Sequence, residues 1–96
     1  MQEKICERDV EQFFVREIKK AGGMTYKFVS PSNAGVPDRI VLYRGKAIFV
    51  ELKRPNQTLR PLQRAVADKF KQQGFDVFVL DSKEAVREFV RNEVRR

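Results

Sequence analysis

Apolar residues first recur at helical spacing. Val10, Phe14, Ile18 and Ala21, widened by Phe13, predict a helix over residues 4–21, and Gly22-Gly23 ends it. The period then shortens to two. It is weak from Met24 to Val29, a short predicted strand, and strong in Ile40-Val41-Leu42-Tyr43 and Ala47-Ile48-Phe49-Val50. These β-branched and aromatic runs flank Arg44-Gly45 and predict a hairpin from Asp38 to Lys53. Ser30 to Pro37 and Arg54 to Gln57 are rich in turn formers and read as loops. Thr58 is the expected N-cap of a helix from Leu59 to about Gln73, with Pro61 in its first turn. Leu59, Leu62, Val66 and Phe70 form its expected buried stripe, and Gly74 ends it. Asp76 to Leu80 reads as a buried strand. Asp81 or Ser82 caps a last helix carrying Val86, Phe89 and Val90.

The predicted order is α-β-β-β-α-β-α. Ile40, Leu42 and Phe49 share one face of the hairpin; Val41, Tyr43, Ile48, Val50 and Leu52 share the other. A sheet that is apolar on both faces calls for helices on each side. The chain is therefore expected to form an α/β fold, a mixed sheet flanked by helices, as a single domain over residues 1–96 with no internal repeat.

Composition narrows the chemistry. A hydrophobic fraction of 42%, with eight Phe, suffices for a globular core in 96 residues. No apolar run approaches the length of a membrane span, and the first residues lack the apolar core of a signal peptide. The single cysteine, Cys6, cannot form an internal disulfide, which fits a reducing cytoplasm. A formal charge of +7 favours a polyanionic partner, nucleic acid being the usual one, although a small basic protein without such a partner carries the same balance. The absence of histidine removes Ser-His and Cys-His triads and His-rich zinc sites. A bound metal would be hard and held by oxygen, which means Mg²⁺ or Mn²⁺.

Counting along the hairpin then singles out three residues. With Arg44-Gly45 as a two-residue loop, Tyr43 faces Lys46, Ile40 faces Phe49, and Asp38 faces Glu51. Opposed residues have Cβ atoms about 4.5–5.5 Å apart, and like charges so placed are destabilising without a cation. Lys53, two residues beyond Glu51, points to the same face. Two acids with a nearby lysine suggest a divalent-metal site for phosphodiester chemistry. The plainer reading is a surface ion-pair ladder in which Lys53 neutralises the acids. Glu17-Ile-Lys19 and Asp81-Ser-Lys83 repeat the acid-x-Lys spacing, but neither has a facing acid on a strand.

GVPDRIVL, IFVELK and LRPLQ together resemble the VRR-NUC family of the PD-(D/E)xK nuclease superfamily, and the resemblance runs from the first helix to Ser82-Lys83. It implies a restriction-endonuclease-like fold, intracellular action (in the host cytoplasm if a phage encodes the chain), and likeness to archaeal Holliday-junction resolvases, which work as homodimers. Asp38 then matches the metal-binding Asp, Glu51 the second acid and Lys53 the lysine. The Leu52 carbonyl completes the metal shell. Gln63 matches a glutamine on the following helix, or is simply a polar residue beside the core. Glu11, or Glu7 second, matches a glutamate on the first helix; either is otherwise a solvated charge. The implied function is a Mg²⁺-dependent, structure-selective DNA endonuclease, with Mn²⁺ as substitute, cutting four-way or other branched DNA. Lys27, Arg39, Arg54, Arg60 and Arg64 are the expected phosphate contacts, and the loop Ser30–Gly35 either touches DNA or is only solvated. Lys19-Lys20 and Arg95-Arg96 read as solvated ends. A looser nicking or flap nuclease, and a non-catalytic nucleic-acid-binding module, are the alternatives.

Overall fold

A computed structural model describes residues 6–95. Helix α1 spans Glu7–Lys20, and strands β1, β2 and β3 span Met24–Lys27, Arg39–Tyr43 and Lys46–Leu52. Helix α2 spans Pro61–Gln72, strand β4 Val77–Leu80 and helix α3 Lys83–Phe89, which runs on into a π-helical turn, Val90–Val94. The order is the expected one. The sheet runs β1-β2-β3-β4, antiparallel up to β3 and parallel between β3 and β4. A parallel neighbour needs a crossover, and α2 is that crossover.

The hairpin has the counted register: Tyr43 pairs with Lys46, Ile40 with Phe49 and Arg39 with Val50. Its loop is two residues long because Arg44 and Gly45 both take positive φ, 44° and 81°, as a turn matched to strand twist requires.

The core lies on one side of the sheet. Val10, Phe14 and Ile18 of α1 and Val86 and Phe89 of α3 pack on Val41, Val50 and Leu52, and all are buried. Phe89 joins helix to helix and helix to sheet, with ring centroids 6.1 Å from Phe14 and 5.1 Å from Phe78. Fully burying each such side chain contributes roughly 1.5–3 kcal/mol.

The other side is thinner than expected. No residue of α2 is fully buried, and Leu62, predicted to be core, is 54% exposed. Phe49 reaches up to Phe70 and Phe75 at 4.9 and 5.7 Å, but Met24, Tyr26 and Leu42 lie beyond the reach of one short helix and stay exposed.

Some expected boundaries move for local reasons. The helix predicted from residue 4 begins at Glu7, after the N-cap Cys6; residues 4 and 5 lie outside the described range. Helix α2 is capped by Arg60 rather than Thr58. Pro61 disfavours helical backbone in the residue before it, so Arg60 is extended (φ −70°, ψ 158°) and the helix starts at the proline. Of the two candidate caps for α3, Ser82 acts: its Oγ accepts the Ala85 N–H at 3.0 Å.

Candidate active site

Where β2 begins and β3 ends, the register brings charged side chains to one end of the sheet. The last β2–β3 pair is Arg39 with Val50, so Asp38 and Glu51 are the next opposed positions. Glu51 and Lys53 share the α2 face, and both are buried, at 2% and 4% exposure. Lys53 Nζ lies 3.7 Å from Glu51 Oε2. The Lys53 backbone N–H donates to the Leu80 carbonyl at 2.9 Å, which ties this corner to β4.

Gln63 joins the group from α2. Its Nε2 donates to Glu51 Oε2 at 2.9 Å, while its Oε1 accepts the Arg60 N–H at 2.9 Å. One side chain therefore caps the helix and fixes the carboxylate. The sequence left Gln63 open to a place in the site or a plain polar position beside the core, and the structure sets it in hydrogen-bonding contact with Glu51.

Asp38 is oriented by the main chain. Its Oδ2 accepts the Leu52 N–H at 3.0 Å, and its own carbonyl accepts the Phe28 N–H at 2.7 Å. The N–H and C=O of a strand residue face the same neighbouring strand. The Leu52 carbonyl therefore opens on the Asp38 side. Burial first, and the Asp38 carboxylate second, push Glu51 up to about 8, with Lys53 pulling the other way. When both are ionised the two carboxylates repel each other, and Lys53 offsets only part of that. Their oxygen donors suit a hard divalent cation, which would relieve the repulsion. Among the described residues, no three acids or thiols converge into one metal-binding cluster.

The helix glutamates explain that shortfall. Glu7 and Glu11 line a cavity of about 240 Å³ together with Lys27, Asp38 and Leu52, so both face the site. Glu11 Oε2, however, is engaged by the Arg39 guanidinium at 3.3 Å. Arg39 is thus a correction. Expected at the surface as a phosphate contact, it is 7% exposed, with Nε 3.4 Å from Thr25 Oγ1 and Nη1 on Glu11. It follows Asp38 on a strand, so its side chain points to the opposite, helix-covered face. That alternation was the available signal. Arg54, Arg60 and Arg64 are exposed near the Glu51–Gln63 contact, and Lys27 is exposed at the cavity.

Comparison with known proteins agrees with this architecture. The family model described as VRR-NUC domain matches residues 2–84. A relative from Acyrthosiphon pisum secondary endosymbiont phage 1, named "Putative nuclease p44", is 46% identical over 81 residues, covering 83% of this chain and 87% of the relative. A solved structure described as a VRR_NUC domain superposes with a TM-score of 0.83 at 29% identity, covering 91% of this chain and 96% of the other.

Proposed function

The chain belongs to the VRR-NUC domain family, a nuclease family, and from that premise we propose that it is a divalent-metal-dependent DNA endonuclease that cuts branched DNA, four-way junctions foremost, as a homodimer. One observation carries the reading. Asp38 and Glu51 meet at a sheet end with Lys53 and Gln63 on the same carboxylate, and burial first and Asp38 second push Glu51 up to about 8.

Asp38, Glu51 and the Leu52 carbonyl are the proposed Mg²⁺ ligands, Mn²⁺ substituting, with Glu11 joining directly or through water once it leaves Arg39. The bound ion would polarise a phosphodiester and lower the pKa of a water molecule. The protein's own groups do the rest. Lys53 orients the attacking water or stabilises the charge that builds on the phosphate. Gln63 holds Glu51 in place, and the Leu52 N–H holds Asp38. Lys27, Arg54, Arg60 and Arg64 supply phosphate contacts, whose affinity is independent of sequence and sensitive to salt.

One centre cuts one strand, and paired cuts across a junction call for two centres related by a two-fold axis. Cleavage of a synthetic four-way junction, a flap and a linear duplex, with and without Mg²⁺, tests the proposal. Asp38→Asn, Glu51→Gln and Lys53→Ala are each expected to lower the cleavage rate by about 10²-fold or more while DNA binding persists. Metal-dependent cutting retained by all three variants would rule the assignment out.

A further inference from the structure

A second cationic surface lies away from the proposed phosphate contacts, where α1 packs on α3. Three cations converge on the ring of Phe13, which is itself 8% exposed. The Arg16 guanidinium is 5.6 Å from the ring centroid, Lys83 Nζ 5.7 Å and the Arg87 guanidinium 5.1 Å. Stacking on the ring face orders these long side chains in advance. Arg91 continues the row and lines a hollow beside Arg87. Lys83 and Arg87 are one four-residue step apart on α3, about 6 Å along its axis, and Arg91 follows four residues later in the π-helical turn.

The nearby acids offset this charge only in part, Glu84 beside Lys83 being exposed and in no ion pair among the described residues. Asp9 accepts hydrogen bonds from the Cys6 N–H and thiol at 3.0 and 3.2 Å and feels Lys83 only through a weaker charge interaction, while Glu17, at the hollow of Arg87 and Arg91, pairs with Lys20 at 3.4 Å. Glu88 turns toward the β4 side, among Phe78, Val79 and Asn92. Among the described residues, none of Arg16, Lys83 and Arg87 takes part in an ion pair.

Position gives the row its meaning. Ser82 caps α3 directly after β4, and β4 ends beside β3 where Leu80 accepts the Lys53 N–H. Lys83 therefore starts at the sheet end that carries Asp38 and Glu51, and the row runs back along the α1–α3 face. Arg60 and Arg64 leave the same centre along α2, on the opposite face of the sheet. A straight duplex lies along one flank only. A branched molecule can occupy both.

We propose that Arg16, Lys83 and Arg87, ordered on Phe13, form a second duplex-binding flank that seats one arm of a branched DNA while the α2 flank seats another. This rests on the nuclease reading for its substrate and adds to it a surface and a reason for branch selectivity. The test is binding in the presence of chelator, over a salt series, to a four-way junction and to a linear duplex of equal arm length. For the double variant Lys83→Gln/Arg87→Gln, junction affinity is expected to fall on the order of tenfold, and the log–log salt slope to shrink by about 1.8, two phosphate contacts being lost. The linear duplex, which has the α2 flank, keeps its affinity, and Lys83→Arg/Arg87→Lys keeps the junction affinity. Unchanged junction binding overturns the proposal, and so does an equal loss on both DNAs. Melting curves check that the variants are folded, and Arg16→Gln provides the same comparison should the double variant not fold. Because chelator removes cleavage from the measurement, a wild-type chain that binds this way but never cuts with Mg²⁺ would refute the nuclease reading and leave the flank standing.

Discussion

Glu51 is held up at about 8 by burial and by the Asp38 carboxylate, and the same group unfolded titrates near 4.5. Between these values the native state keeps a proton that the unfolded chain has released, so stability falls as pH rises. The contribution is complete below about 4.5 and gone once pH passes through about 8. Within that window each step of one in pH removes at most roughly 1.4 kcal/mol. Melting of the metal-free protein is therefore expected to move to lower temperature from about pH 5 to about pH 8.5, and Glu51→Gln to flatten that slope. A profile unchanged by Glu51→Gln would mean that Glu51 is not the group responsible. At this scale the sequence was legible where backbone parity decides direction. Asp38, Glu51 and Lys53 follow from counting along two strands. The Arg39–Glu11 pair was not legible, because a partner on α1 depends on how the helix crosses the sheet. Nor was the Phe13 cluster, although the spacing of Lys83, Arg87 and Arg91 was there to be read.

Secondary-structure elements owe their limits to single local bonds. The N–H groups of the first turn of α3 have no partner within the helix, and Ser82 Oγ takes one of them. Ser82→Ala is expected to cost about 1 kcal/mol, measured by denaturant unfolding, and Ser82→Asp to retain most of the stability. Both hairpin strands were legible because their alternation and their two-residue loop agree. The start of α2 was misplaced because Thr58 is a good cap by type, while Pro61 and the reach of Gln63 decide the matter in space. Its stripe, expected to be buried, lies over the sheet only in part. An apolar stripe says which face turns inward, however, and not how much sheet lies opposite. Leu62 stays half outside because the loop around Gly35 and a single helix are all that cover that side.

At the scale of the molecule, charge and apolar surface are sorted by region. One helix-covered face holds the core, one sheet end holds the acids, and cations flank that end on two sides. The α/β class and element order were legible; the division of cations between the faces required the fold. In the proposed homodimer each subunit contributes one complete centre, since Asp38, Glu51, Lys53 and Gln63 all come from one chain. Mixing wild-type subunits with Lys53→Ala subunits is then expected to yield heterodimers that nick one strand of a junction without the opposing cut, as resolved on denaturing and native gels. Paired cuts at the wild-type rate from such heterodimers would contradict the one-centre, one-strand assignment.

The parallel β3–β4 ladder also governs when the centre comes into being. The β2–β3 hairpin closes over a two-residue loop, a local event that takes microseconds. Lys53 is tied to Leu80 and Glu51 to Gln63 only after the intervening chain has been made and has swung back across the sheet. A growing chain thus carries all three motif residues well before it holds them in one geometry. Catalytic competence arrives late in folding, with the docking of α2 and β4. The two acids face each other once the hairpin closes, but they stay hydrated until α2 and β4 dock and bury Glu51.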